Sequence, residues 1–261
     1  MIDTHCHLTY PGLGERVEQV LADAATAGVD RMISVGTSPT DAAAALRIAD
    51  AHAGVYVAAG LHPGHADEAA DTGALQQELR SQLAHPRVVA VGEMGLDQHY
   101  PEPPLEQQRR VFAAQLELMQ ERPELPGIIH NREATDATLE MVRASGVAGD
   151  RLVFHCFTGP AEELRRILDL GAMVSFTGIV TFAGAAAVAE ASDLVPLDRL
   201  MIETDSPYLT PAPFRKVRPN EPRFVAEVAK FLADRRGMPR DEFVAAVDAN
   251  AERFFRLPVN G

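Results

Sequence analysis

The chain has 261 residues, 46% of them hydrophobic, and a formal net charge of -13 at pH 7. That length suits one large core and matches the roughly 250 residues of a β/α barrel, so one domain over residues 1–261 is expected. The charge excludes a protein that coats nucleic acid by general attraction, because phosphate binding draws on many Lys and Arg and only Lys216 and Lys230 are lysines.

At the N-terminus, Asp3 and His5 stand where a secretion signal would carry basic residues and then an apolar run. No stretch approaches the roughly 20 apolar residues of a membrane span. A soluble, cytoplasmic protein without membrane association is therefore expected. Short β-branched or apolar runs then recur along the chain at residues 1–5, 31–36, 55–61, 88–93, 127–130, 152–155, 172–176 and 200–203. Between them lie Ala-, Leu-, Glu- and Arg-rich stretches such as 14–28, 40–53, 105–122, 132–146 and 160–171, several of which end at glycine as helices often do. Prolines 207, 211, 213 and 219 mark residues 206–222 as a long irregular loop, and two last helices are predicted at 223–236 and 239–255.

Eight strands alternating with helices, at about 28 residues per unit, predict a parallel (β/α)8 TIM barrel with additional C-terminal helices. A doubly wound open sheet is the competing fold, but no Gly-rich turn follows the first strand. The two cysteines, Cys6 and Cys156, each follow a histidine directly, and strand alternation turns each away from its neighbour, so two buried free thiols are expected.

The chemistry-bearing residues sit at the strand ends. In Asp3-Thr4-His5-Cys6-His7 a period of two puts His5 and His7 on one face, both able to reach one ion. Alone such a pair is more often two histidines packed or hydrogen bonded at a strand end. Glu93 ends the fourth run, His130 the fifth and His155 the sixth, while Asp205 lies just past the eighth. Strand ends in a barrel converge at its mouth, and buried carboxylates and imidazoles gathered there need a compensating cation. This reaches metal-assisted hydrolysis and no further, because barrel mouths serve many substrates.

The motifs Asp-Thr-His-Cys-His-Leu at 3–8, Gly-Glu-Met-Gly-Leu-Asp at 92–97, Ile-Ile-His-Asn-Arg-Glu-Ala at 128–134, His-Cys-Phe-Thr-Gly at 155–159 and Glu-Thr-Asp-Ser-Pro-Tyr-Leu at 203–209 together resemble the TatD-type metal-dependent deoxyribonucleases of the amidohydrolase superfamily. The resemblance runs nearly end to end, including Gly60-Leu61-His62-Pro63 and the 218–222 run. It implies a deoxyribonuclease that cleaves DNA phosphodiester bonds, trimming single-stranded or frayed ends. It also implies two divalent cations, Mg2+ or Mn2+ with Zn2+ or Ni2+ also compatible: His5, His7 and Asp205 on one, His130 and His155 on the other, and Glu93 bridging. With no lysine near the fourth strand, Glu93 takes the place of the carboxylated lysine of other binuclear relatives.

Glu93 and Asp205 are the expected catalytic residues, Asp205 as base toward an activated water. His62 either reaches substrate or packs at the rim; Arg132 either clamps a phosphate or pairs with a surface acid. Arg215, Lys216 and Arg218 either guide a nucleic acid strand or form a solvated basic loop. Gly64 and Asn131 depart from the family pattern, which often has His and Ser there. A hydrolase of a small amide, lactone or phosphoester on the same site is an alternative, as is a noncatalytic metal-binding scaffold. No obligate protein partner is expected.

Overall fold

A computed structural model describes residues 1–258. Its eight strands are β1 (Ile2–Cys6), β2 (Arg31–Val35), β3 (Val55–Ala59), β4 (Val88–Asp97), β5 (Gly127–Arg132), β6 (Leu152–Phe154), β7 (Met173–Phe176) and β8 (Leu200–Ile202). They lie side by side in chain order, every pair parallel. The ring closes where Cys6 pairs with Ser206, the His7 amide donating to the Ser206 carbonyl at 2.8 Å and the Asp205 amide to that of His5 at 2.9 Å. The fold is the expected TIM barrel.

Around it run α1 (Val17–Thr26), α2 (Pro39–Ala51), α3 (Thr72–Leu83), α4 (Leu105–Glu121), α5 (Thr135–Ser145), α6 (Ala161–Asp169), α7 (Ala186–Asp193), α8 (Val225–Arg236) and α9 (Arg240–Phe255). Two of these helices, α3 and α7, lie outside the stretches whose composition predicts a helix. In α3 the Asp71 carboxylate caps the Gly73 and Ala74 amides, and Leu75, Leu79 and Leu83, four apart, bury one stripe. The short α7 buries mostly small residues, Ala189, Ala191 and Ser192 beside Val188, which gives a weak periodic signal. Among the described residues no helix is long and apolar enough to cross a membrane.

Two apolar layers hold the barrel. Val57, Ile129, Phe154, Val174 and Ile202 join the layer that includes Leu79, Phe112, Leu139 and Leu164 of the surrounding helices. The alternate residues Ile33, Ile128, Val153, Met173 and Met201 form a second cluster with Ala251, Phe255 and Leu257. Each such side chain contributes roughly 1.5–3 kcal/mol on burial. With α9 packed against the amino end of the barrel, the open end is the carboxyl one.

Two strands run longer than expected, and this shapes the site. Pairing continues through Gly95↔His130, Leu96↔Asn131 and Asp97↔Arg132, so Arg132 ends β5 and does not begin a helix. Gly95 makes this possible: its φ is +140°, and a Cβ there would lie 2.0 Å from the His130 carbonyl oxygen.

Candidate metal centre

The carboxyl ends of β1, β4, β5, β6 and β8 bring His7, Glu93, His130, His155 and Asp205 to the wall of one cavity of about 530 Å3, with His5 fully buried against Glu93 and His155. Asp3 fixes one side: its carboxylate accepts from the Thr204 amide at 2.9 Å, the Thr204 hydroxyl at 2.6 Å and the His5 amide at 3.3 Å, tying β1 to the segment after β8. Burial pushes the Asp3 carboxyl up to about 8 despite those bonds. Gln108 of α4 fixes the other, its side chain bonding both the amide and the carbonyl of Asp97.

Glu93 is the hub. One carboxylate oxygen lies 2.7 Å from His155 Nε2, 2.8 Å from His130 Nδ1 and 3.6 Å from His62 Nε2; the other lies 3.4 Å from His5 Nε2. Asp205 Oδ1 lies 3.4 Å from His7 Nε2 and 3.9 Å from His5 Nε2. His7 Nδ1 donates to the Val35 carbonyl at 2.9 Å, which turns Nε2 toward Asp205. At His62 the Gly64 amide donates to Nδ1 at 2.9 Å, so the neutral ring carries its proton on Nε2, facing Glu93.

Charges here are strongly shifted. Burial favours neutral Glu93, but the charge of His155 and hydrogen bonds from His130 and His155 hold its carboxyl well below the usual range. Asp205 is also lowered, burial being outweighed chiefly by His7. Conversely, burial is outweighed at His7 by Asp205, which raises the imidazole to about 9, and at His155 by Glu93. His5 is pushed down by burial and by His155, and His62 is lowered to about 3 by burial foremost.

A divalent cation fits this donor set. Both His5 ring nitrogens and His155 Nδ1 are buried with no hydrogen-bond partner, an expensive arrangement that a cation bound at one nitrogen of a ring would relieve. Three groups of ligand atoms lie within 4.8 Å of one another: His5, His7 and Glu93; His5, His155 and Glu203; and His62, Glu93 and His130. Glu93 belongs to two of them. Imidazole nitrogen with carboxylate oxygen suits divalent first-row metals and, less well, Mg2+.

Three further acids support the ligand set, Asp97 in the cavity wall and Glu203 and Asp3 buried beside it. Asp97 Oδ2 lies 3.0 Å from His130 Nε2. Glu203, almost fully buried, lies 3.4 Å from His155 Nδ1 and accepts from the Cys156 amide at 2.7 Å and the Ser175 hydroxyl at 2.6 Å. The third is Asp3. Each lies an even number of residues from a flagged ligand, Asp3 from His5, Asp97 from Glu93 and Glu203 from Asp205, which is the one signal that points to them.

Cys156 departs from its expectation. β6 ends at Phe154, Cys156 adopts a φ of 46° and lines the cavity partly exposed, so strand alternation does not govern it; Cys6 is buried as a free thiol. His62, His65 and Arg132 line the cavity wall. Arg132 lies over the Tyr100 ring, 5.3 Å from its centroid. Of the basic loop, Arg215 packs on Phe182 at 3.3 Å, Arg218 donates to the Thr210 hydroxyl at 2.7 Å, and Lys216 is exposed. None of these three forms part of the cavity wall.

The chain matches the TatD related DNase family over residues 2–256. It is 38% identical over 258 residues to YabD of Bacillus subtilis strain 168, named an uncharacterized metal-dependent hydrolase, covering 98% of this chain and 99% of that one. It is 35% identical to the 3'-5' ssDNA/RNA exonuclease TatD of Erwinia billingiae strain Eb661, covering 99% of this chain and 100% of the relative. The crystal structure of YjjV, a TatD homologue from Escherichia coli K12, superposes with a TM-score of 0.91 at 31% identity, over 99% of this chain and 98% of that one. With the same barrel and a match along nearly its whole length, the chain belongs to the TatD related DNase family.

Proposed function

We propose that this TatD-family hydrolase uses two divalent cations to cleave phosphodiester bonds in single-stranded or frayed DNA from strand ends, residues 1–261 acting as one unit. His5, His7 and Asp205 would hold one cation and His130 and His155 the other, with Glu93 available to both. The observation that carries the reading is the buried Glu93 carboxylate, with His155, His130, His5 and His62 nitrogens 2.7, 2.8, 3.4 and 3.6 Å from it and with His5 and His155 keeping unbonded ring nitrogens beside it. The exonuclease name of a relative 35% identical supports the choice of DNA, and RNA is the neighbouring possibility that name includes.

When bound, Mg2+ or Mn2+, with Zn2+ or Ni2+ also suited to the donors, neutralises phosphate charge and makes water a stronger acid. Asp205, held ionised at the mouth of the pocket, takes the proton from the attacking water. Glu93 orients His130 and His155 through its 2.8 and 2.7 Å contacts. The Nε2–H of His62 donates to a nonbridging phosphate oxygen, and Arg132 at the rim meets the next phosphate. Arg215, Lys216 and Arg218, outside the cavity, lie along the approach of the strand.

The test is elemental analysis of the purified protein, then cleavage of end-labelled single- and double-stranded DNA across those four cations after chelation. Cation-dependent shortening of the single strand from one end, reduced at least a hundredfold in kcat by Asp205→Asn, is expected. Cleavage of chromogenic lactones, amides or phosphoesters with DNA left intact would replace the reading with a small-molecule hydrolase, and metal-loaded protein inert toward all of them with a scaffold.

A further inference from the structure

Three of the four tyrosines of this chain are exposed at the carboxyl end of the barrel: Tyr10 after β1, Tyr100 after β4 and Tyr208 after β8 are 40%, 57% and 52% exposed. The fourth, Tyr56, is buried in β3. Exposed rings cost apolar surface to water, so their confinement to one face asks for a use. Tyr208 and Tyr100 line the cavity that holds Glu93. Strand order places them: in a closed ring running β1 to β8, the β4–β5 side lies half a turn from the β8–β1 side. Tyr100 and Arg132 therefore occupy one rim of the mouth, Tyr208 and Tyr10 the opposite rim, with the carboxylate and imidazole cluster between.

Each ring is held in place. Tyr208 meets Tyr10 edge to face at 5.8 Å and His7 at 6.4 Å. Its backbone is fixed by its own amide to the Asp205 carbonyl at 2.9 Å and by the Asn220 side chain to its carbonyl at 2.5 Å. Tyr100 meets the His99 ring edge to face at 4.9 Å, and His99 is itself paired with Glu133 at 2.7 Å. A tyrosine has few torsions to freeze, so a braced ring offers a flat, wet-edged surface at low entropic cost. Electrostatics cannot supply the same grip, because the cavity wall carries Glu93, Asp97 and Asp205, and Arg132 is its only Lys or Arg among the described residues.

Resting on the nuclease reading above, we infer that Tyr100 and Tyr208 are two stacking platforms that hold unpaired bases on either side of the scissile phosphodiester, Tyr10 bracing the second. Stacking on an aromatic face tolerates any base and requires the base to be out of the duplex. The platforms thus select single strands by geometry, which an acidic protein cannot do by charge. Arg132, lying over Tyr100 in the cavity wall, contacts the phosphate beside the stacked base.

The experiment compares kcat and KM for Mn2+-loaded wild type, Tyr100→Ala, Tyr208→Ala and the corresponding Phe variants. Two single-stranded oligonucleotides serve as substrate, one intact and one with stable abasic residues flanking the cleavage point. A second readout is the emission of an oligonucleotide carrying 2-aminopurine at those flanking positions. Each Ala variant should raise KM for the intact strand roughly fivefold to a hundredfold with kcat within about threefold, and Phe should recover most of the loss. On the abasic strand the Ala variants and wild type should have the same KM, and 2-aminopurine quenching should weaken in the Ala variants.

Cleavage by wild type with KM unchanged in both Ala variants overturns this inference and leaves the nuclease reading standing. Tyr-dependent quenching without cleavage supports the platforms and removes the nuclease reading. Neither cleavage nor quenching by wild type removes both.

Discussion

His5 lies flat against His155, ring centroids 4.1 Å apart and planes 14° apart, although the two residues come from β1 and the end of β6. Two stacked imidazoles in a dry pocket cannot both be charged. Glu93 holds the proton on His155, and His5 is driven neutral by burial and by that neighbour. His5 Nε2, buried 3.4 Å from Glu93 and 3.9 Å from Asp205, is placed to serve as a metal ligand together with those carboxylates.

The first consequence concerns metal removal. Cation that binds the folded state alone stabilises it by about 2.7 kcal/mol at a hundredfold excess over its Kd. For a chain of this size that is a Tm difference of roughly 5–10 °C. Calorimetry with and without EDTA should show the drop, reversed by Mn2+. Equal Tm values would mean that the pocket binds no cation specifically.

A second concerns Asp97. Its carboxylate lies 3.0 Å from His130 Nε2 while Nδ1 of the same ring faces Glu93 at 2.8 Å, so Asp97 sets both the tilt of the ring and which nitrogen is left for metal. Replacing it with Ala should weaken divalent-cation affinity by about tenfold to a hundredfold, with Asn in between. Titration calorimetry with Mn2+ measures this directly, and an unchanged Kd would leave Asp97 a structural acid only.

A third separates the floor of the barrel from its mouth. Phe255 is buried in the cluster that includes Ile2, Ile128, Val153 and Met201. Phe255→Ala should cost about 3–5 kcal/mol in urea unfolding. The Mn2+ Kd of the folded variant should match wild type, since that cluster shares no residue with the metal pocket. A loss of cation affinity equal to that of the Asp97 variant would show floor and mouth to be coupled.

A fourth is a pH effect with a definite sign. Burial raises the Asp248 carboxyl, only partly offset by the N-terminal ammonium at 3.4 Å and the Ile2 amide at 2.9 Å. A folded pKa above the unfolded one means that the contribution is present at low pH and is lost as pH rises through the raised value. Asp248→Asn, which cannot ionise, should therefore gain on wild type as pH rises through the carboxylate range. Unfolding free energies from pH 3 to 7 measure the difference, and a constant or falling difference would contradict it.

Most of this pocket is legible in the sequence because His5, Glu93, His130 and His155 each end an apolar run, and an expensive residue at such a place marks a barrel mouth. Asp97 is hidden by Gly95, which reads as a strand end yet is the residue that lets β4 continue. Glu203 closes an apolar run as a solvated acid might. Its burial depends on Ser175, Thr4 and the Cys156 amide, partners distant in sequence. Arg132 read as the start of a helix for the same reason that β5 read short, and the pairing of residues 95–97 with 130–132 is invisible without the partner strand.

The most direct measurement is an anomalous difference map from a Mn2+-soaked crystal, recorded at the manganese edge. Two peaks are predicted, both within about 2.0–2.4 Å of the Glu93 carboxylate, one also reached by His5, His7 and Asp205 and the other by His130 and His155. A map with no peak beside Glu93, in crystals whose soak solution holds millimolar Mn2+, would contradict the metal centre and the hydrolysis built on it.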